Sequence, residues 1–176
     1  RAHRGVDQPV DSAVVARDGE EIRDARQHHE QVAWEPRGNL IDARIGNGWQ
    51  PTTDQMMGGA STVRHALVAG GAAGSRGALQ VSGEIKPGSP YPWSGMMFFA
   101  AQKPMQPVDF SSRKELVFWV RGDGRRYDAM LFSGPSMRAM PSRQAFTAGS
   151  QWREVRLPLN GFSGADTALL RAVAFT

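Results

Sequence analysis

The sequence predicts an all-β fold, an antiparallel β-sandwich of the jelly-roll type. Three observations predict it. Beyond residue 38 no stretch keeps the long 3.6-residue apolar period that a core-facing helix needs. Apolar runs of strand length recur there at short intervals, and several alternate with polar residues. The 176 residues include 20 Gly and 11 Pro, the residues that tight turns between many short strands demand.

Composition bounds the rest. The length fits one domain with a tail, and 40% apolar residues are enough for a core. There is no cysteine, which removes disulfides, thiolate zinc sites and cysteine nucleophiles. That absence fits either side of a membrane, and a periplasmic or secreted bacterial setting is favoured over the cytoplasm. No apolar run is long enough for a membrane-spanning helix. The net charge is +4. Residues 1–38 hold 6 Lys and Arg against 8 Asp and Glu, and residues 39–176 hold 15 against 9. The arginines of the second part are spread singly apart from Arg125-Arg126, without the basic clusters and interleaved aromatics of a nucleic-acid binder, so no nucleic-acid partner is expected. The sequence opens at Arg1 without a charged-apolar-small leader and is read as an excised piece of a longer protein.

Residues 1–38 are expected to be a charged N-terminal extension or linker, or the end of a preceding domain. Within them, residues 12–22 could form a short hairpin turning at Asp18-Gly19. From Asn39 the character changes, and 39–176 is expected to be the sandwich. Leu40 to Arg44 is a strand candidate. Gly46-Asn47-Gly48-Trp49 follows, and Asp54 to Ser61, with Met56-Met57-Gly58-Gly59, is a tight loop over apolar surface. Thr62 to Val68 reads as a strand. Leu79, Val81 and Ile85 alternate with Gln80, Ser82 and Glu84, the pattern of a half-buried strand. Met96 to Ala101 is apolar on both faces, which predicts a central, covered strand.

Residues 115–121 and 126–133 predict a hairpin. Gly122 and Gly124 flank its turn, which gathers Arg121, Asp123, Arg125, Arg126 and Tyr127 at one end of a sheet. Gln144 to Thr147 and Trp152 to Leu159 are further strands, with Pro158 expected at a strand end or on a free edge. Leu169 to Phe175 begins a last one.

Five motifs now stand in order: Asp54-x-x-Met57-Gly58-Gly59-x-Ser61, Gly83, Trp93-Ser94-Gly95-Met96, Arg121-Gly122-Asp123-Gly124-x-x-Tyr127, and Trp152-x-x-Val155-x-Leu157-Pro158-Leu159-x-x-Phe162. Over about residues 45–175 this resembles the complex I intermediate-associated protein family. Gln55 departs from it, standing where the family often has a second acidic residue. The resemblance implies a galactose-binding-like jelly roll related to some carbohydrate-binding modules. It also implies one more strand after Val173-Ala174-Phe175, without which an edge is left unpaired. Residues 12–22 loosely resemble the final hairpin that follows the catalytic barrel in metal-dependent amidohydrolases, which would place the chain at the C-terminal end of such a hydrolase.

No catalytic constellation is present. Of four histidines, His3, His28 and His29 lie in the first 38 residues and His65 stands apart. There is no Gly-x-Ser-x-Gly elbow and no phosphate loop. The expectation is a non-catalytic accessory module without a cofactor that binds a protein partner, such as the catalytic domain of its parent chain. Its contacts would come from Asp54, Met56, Met57 and Arg138. The alternative is a carbohydrate-binding module using Trp93, Trp119, Arg121, Asp123 and Tyr127, because sugar sites pair an aromatic platform with polar groups. Trp119 falls on the strand face opposite Phe118 and Val120, and Arg121-Gly122-Asp123 is better read as turn chemistry than as an adhesion tripeptide. Asp54, Asp109 and Asp123 are the carboxylates open to a structural calcium ion, which needs six to eight oxygens.

Overall fold

The computed structural model describes residues 10–16, 36–37, 40–41, 46–75, 77–136 and 140–176. Twelve strands are placed among them. They are β1 Val10–Ala16, β2 Pro36–Arg37, β3 Leu40–Ile41, β4 Trp49–Thr53, β5 Thr62–Ala69, β6 Gly77–Glu84, β7 Ser94–Phe99, β8 Glu115–Arg121, β9 Arg126–Ser133, β10 Ser142–Thr147, β11 Arg153–Pro158 and β12 Leu170–Phe175. They form a five-stranded sheet in the order β11-β8-β1-β6-β5 and a seven-stranded sheet in the order β10-β9-β12-β7-β4-β3-β2. Every pairing is antiparallel. The fold is therefore an antiparallel β-sandwich.

The period-two rule sorts side chains between core and surface. On β8, Phe118 and Val120 are 0% and 1% exposed and Leu116 packs against the core. Their partners in the ladder are Val155 for Phe118 and Leu157 for Leu116, so apolar residues face each other across β8 and β11. The two sheets meet through aromatic rings. Phe118 of the first sheet lies 4.6 Å from Phe175 and 5.0 Å from Phe146 of the second. Trp49 stacks on Phe175 at 5.6 Å and touches Phe98 at 5.4 Å. Such offset and edge contacts add to the burial of large apolar area.

β7 lies between β12 and β4, the central place that its apolar character predicts. β12 is central as well. Ala172, Val173, Ala174 and Phe175 are all buried, and the strand bonds to β9 on one side and β7 on the other. An unpaired edge is thus not found beside β12. Pro158 ends β11, and β11 is an edge strand, so its missing N–H costs no ladder bond. Ile85 does not share the burial of Leu79 and Val81. The strand stops at Glu84, and Ile85 is 55% exposed.

Two elements differ from the sequence reading. Trp49–Thr53, for which the sequence suggested no element, is a strand paired with β7 from Trp49↔Phe98 to Thr53↔Ser94. Val10–Ala16, within the segment read as an extension, runs between β6 and β8 and pairs with both. That setting is inside this sandwich. Residues 17–22 of the expected hairpin lie outside the described residues.

Candidate functional site

β4 ends, β5 begins, β6 ends, β7 begins and the β8–β9 turn closes at one end of the sandwich, as the registers require. The loops there are 54–61, 85–93, 122–125 and 148–152. Of the five large apolar side chains exposed among the described residues, four lie in these loops: Met56 at 79%, Met57 at 65%, Ile85 at 55% and Tyr91 at 59%. The fifth, Met140, is at the opposite end.

These loops are braced from below. Asp54 is completely buried. Its carboxylate accepts from the Ser61 backbone N–H and from the Ser61 hydroxyl, both at 3.0 Å. The Ser61 hydroxyl in turn accepts from the Lys86 N–H at 3.1 Å, which ties the 54–61 loop to the end of β6. Gly59 allows this closeness, because a Cβ there would stand within 2.5 Å of the Asp54 carboxylate. Gly58 takes φ +82° and ends the short 3-10 turn Asp54–Met57, turning Met56 and Met57 outward. Asp54 therefore shapes the loop from inside, and the methionines form its surface. Arg138 lies outside the described residues.

The β8–β9 turn is braced in the same way. Asp123 Oδ1 accepts from the Arg125 N–H at 3.0 Å and from the Tyr127 hydroxyl at 2.8 Å, and Oδ2 pairs with Arg125 Nε at 3.2 Å. The Gly122 and Gly124 N–H groups donate to the Gly149 and Ala148 carbonyls at 2.8 and 2.7 Å. A Cβ on Gly122 would meet that of Ala148 at 2.7 Å. The turn is thereby sewn to the 148–152 loop.

The five aromatic and polar residues of the sugar-binding expectation are not brought to one place. Trp93 and Tyr127 line a common cavity of about 400 Å³ between the sheets. Trp93 is half-buried, and its indole N–H donates to Thr52 Oγ1 at 3.2 Å. Tyr127 stacks on Phe146 at 5.8 Å. Trp119 and Arg121 belong to the outer face of the five-stranded sheet, where Glu154 pairs with Trp119 and Arg121 lies 5.1 Å over the Trp152 ring. Trp119 is half-buried, and its Nε1 has no hydrogen-bond partner among the described residues. Asp123 is occupied within its turn.

The three carboxylates considered for calcium lie in separate loops. Asp109 is exposed and accepts from the Ser111 N–H at 2.8 Å; the side-chain and then the backbone hydrogen bonds of Ser111 hold its carboxyl below the ordinary range. No group of three His, Cys, Asp or Glu that could hold a metal ion occurs among the described residues. No described helix is long and apolar enough to cross a membrane. The sequence reading missed the cavity, and with it the part of Trp49, Asp128 and Arg143. Tyr91 had a visible signal in its position beside Pro90, Pro92 and Trp93.

Comparison with known proteins places this geometry in context. The family model for complex I intermediate-associated protein 30 matches residues 42–170. No curated protein matches the chain. Among solved structures, the chain is similar to the family 11 carbohydrate-binding module of the cellulosomal cellulase Lic26A-Cel5E of Clostridium thermocellum. The identity is 16% and the TM-score 0.55, over 72% of this chain and 76% of that one. It is also similar to a family 11 carbohydrate-binding module from Clostridium thermocellum in complex with a β-1,3-1,4-mixed-linked tetrasaccharide. There the identity is 14% and the TM-score 0.55, over 94% of this chain and 85% of that one.

Proposed function

Because the chain belongs to the complex I intermediate-associated protein 30 family, we propose that it is a non-catalytic accessory domain that docks on a partner protein through the loop end of its sandwich. The observation that carries this reading is the exposure of Met56, Met57, Ile85 and Tyr91 on braced loops at that end. Apolar side chains gathered at one end of a domain mark interaction surfaces more often than chance exposure does. Methionine suits such a surface, because its flexible thioether adapts to the shape of a partner. The bracing fixes the loops beforehand, so docking loses less conformational entropy. A hydrolase domain of the amidohydrolase type, on the same polypeptide or beside it, is the first partner to test.

The test is photo-crosslinking. A photoreactive methionine analogue at positions 56 and 57 in the native setting should crosslink to a protein partner or to another domain of the same chain. The same analogue at position 140 should not. Equal labelling at both ends, or none at 56 and 57, would contradict the proposal.

A second reading, carbohydrate binding, is favoured by one observation. Trp119, Trp152 and Arg121 share the outer face of the five-stranded sheet, with Glu154 beside Trp119 in the ladder. Rings flanked by charged groups are what sugar recognition uses, and the solved module named above holds a mixed-linked tetrasaccharide. Affinity electrophoresis in gels containing mixed-linkage β-glucan tests it. Retardation that Trp119→Ala removes supports this reading, and unchanged mobility removes it.

A further inference from the structure

We infer that the cavity between the sheets binds a small amphipathic anion, a molecule with an apolar body and a carboxylate head. The cavity measures about 400 Å³. That falls within the range of about 300–1,000 Å³ typical of small-molecule pockets. The space is a cleft open at one end, past Ile85, Pro92 and Arg126, so a molecule can enter it from solvent.

The inner walls are the hydrophobic core itself. Trp49, Leu79, Met96, Val120, Phe146 and Phe175 line the cavity, and each is at most 9% exposed. Such walls offer an apolar body dispersion contacts and release from water. They offer the hydroxyls of a sugar almost nothing, and unpaired hydroxyls there would be costly to bury.

The cavity reaches the surface where Arg125, Arg126, Asp128 and Arg143 line it. The charges there are unequal in their engagement. Arg125 is tied to Asp123 at 3.2 Å, and Arg143 approaches Asp128 at 3.8 Å. Arg126 has no ion-pair partner among the described residues. The opening thus carries one uncommitted guanidinium, whose fork of donors matches a carboxylate in two parallel hydrogen bonds. A cation would meet three arginines. A wholly apolar molecule would leave Arg126 unused. The apolar walls and this single guanidinium together define the ligand class. Ile85 belongs both to the cavity lining and to the docking surface, whereas Arg126 and Val81, the residues changed in the test below, belong to the cavity alone.

Calorimetric titration of the native protein, with whatever flanks residues 1 and 176 in its source, tests the assignment. Octanoate is the probe and 1-octanol the neutral control. We expect saturable one-to-one binding of octanoate, about tenfold or more tighter than that of octanol, the worth of one charge-assisted hydrogen-bonded contact. Arg126→Gln, at an exposed position, should bring octanoate down to the level of octanol without lowering the melting temperature. Val81→Phe, which fills part of the wall, should weaken both. Absence of saturable octanoate binding would overturn the inference. So would equal affinity for the two probes, or an Arg126→Gln variant that binds octanoate as the wild type does.

Discussion

At the scale of single residues, Asp54 explains the most. A buried carboxylate is tolerable only when its oxygens are hydrogen-bonded, and Asp54 meets that condition through Ser61. Asp54→Ala leaves the Ser61 N–H and hydroxyl without that acceptor and opens a small void. The expected loss of stability is about 1–3 kcal/mol, the cost of leaving a buried donor unsatisfied, and urea unfolding checks it. Replacing both exposed methionines, as in Met56→Asp with Met57→Asp, should leave the unfolding midpoint nearly unchanged, because surface changes away from braced features have small effects. The sequence made Asp54 visible as a polar residue near paired glycines. Its burial was not visible, because that depends on Gly59 folding back over it and on Lys86, 32 residues away, closing the network.

At the scale of elements, legibility followed locality. The β8–β9 hairpin was readable because both strands and their turn lie within 19 residues, and Gly124, at φ +90°, supplies the conformation the turn needs. β4 was not readable, because Pro51 argues against a strand interior. The structure removes the objection. β4 pairs with β7 along its length on one side, while toward β3 the pairing among the described residues is Ile41↔Trp49, so there Pro51 has no second ladder to serve. β1 was the least readable element. Its partners β6 and β8 begin about 60 and 100 residues later, and nothing local announces such a pairing. Yet among the described strands it is β1 that joins β5–β6 to β8–β11. Val14 pairs with both Leu79 and Val120, so Val14→Pro should disrupt the sheet at its middle. Hydrogen exchange should then show faster exchange of β6 and β8 amides, with β7 and β12 little changed. Uniform protection in both sheets would count against the place of β1.

At the scale of the whole molecule, two sheets close over an aromatic cluster, and four exposed large apolar side chains gather in the loops at one end. Phe118 is fully buried and contacts both Phe146 and Phe175 across the sheets. Phe118→Ala should cost about 3–5 kcal/mol, measured by chemical unfolding, since it removes a large ring and leaves a cavity between sheets. The jelly-roll class was legible in the strand spacing and in the resemblance. The cavity was not, because a void is a property of how distant side chains fail to meet. The division of the candidate sugar residues between the cavity and the outer sheet face was hidden for the same reason. Trp93 and Trp119 look alike in sequence, and only the pleat and the loop geometry separate them.

The central claim is that the loop end carries the interaction. Native mass spectrometry of the protein isolated from its own source tests it most directly, comparing wild type with the Met56→Asp and Met57→Asp double variant. The account predicts a complex with a second protein, or a compact assembly with another domain of the same polypeptide, for the wild type. It predicts that the double variant loses this association while remaining folded. A wild type and a variant with identical, unassociated masses would contradict it.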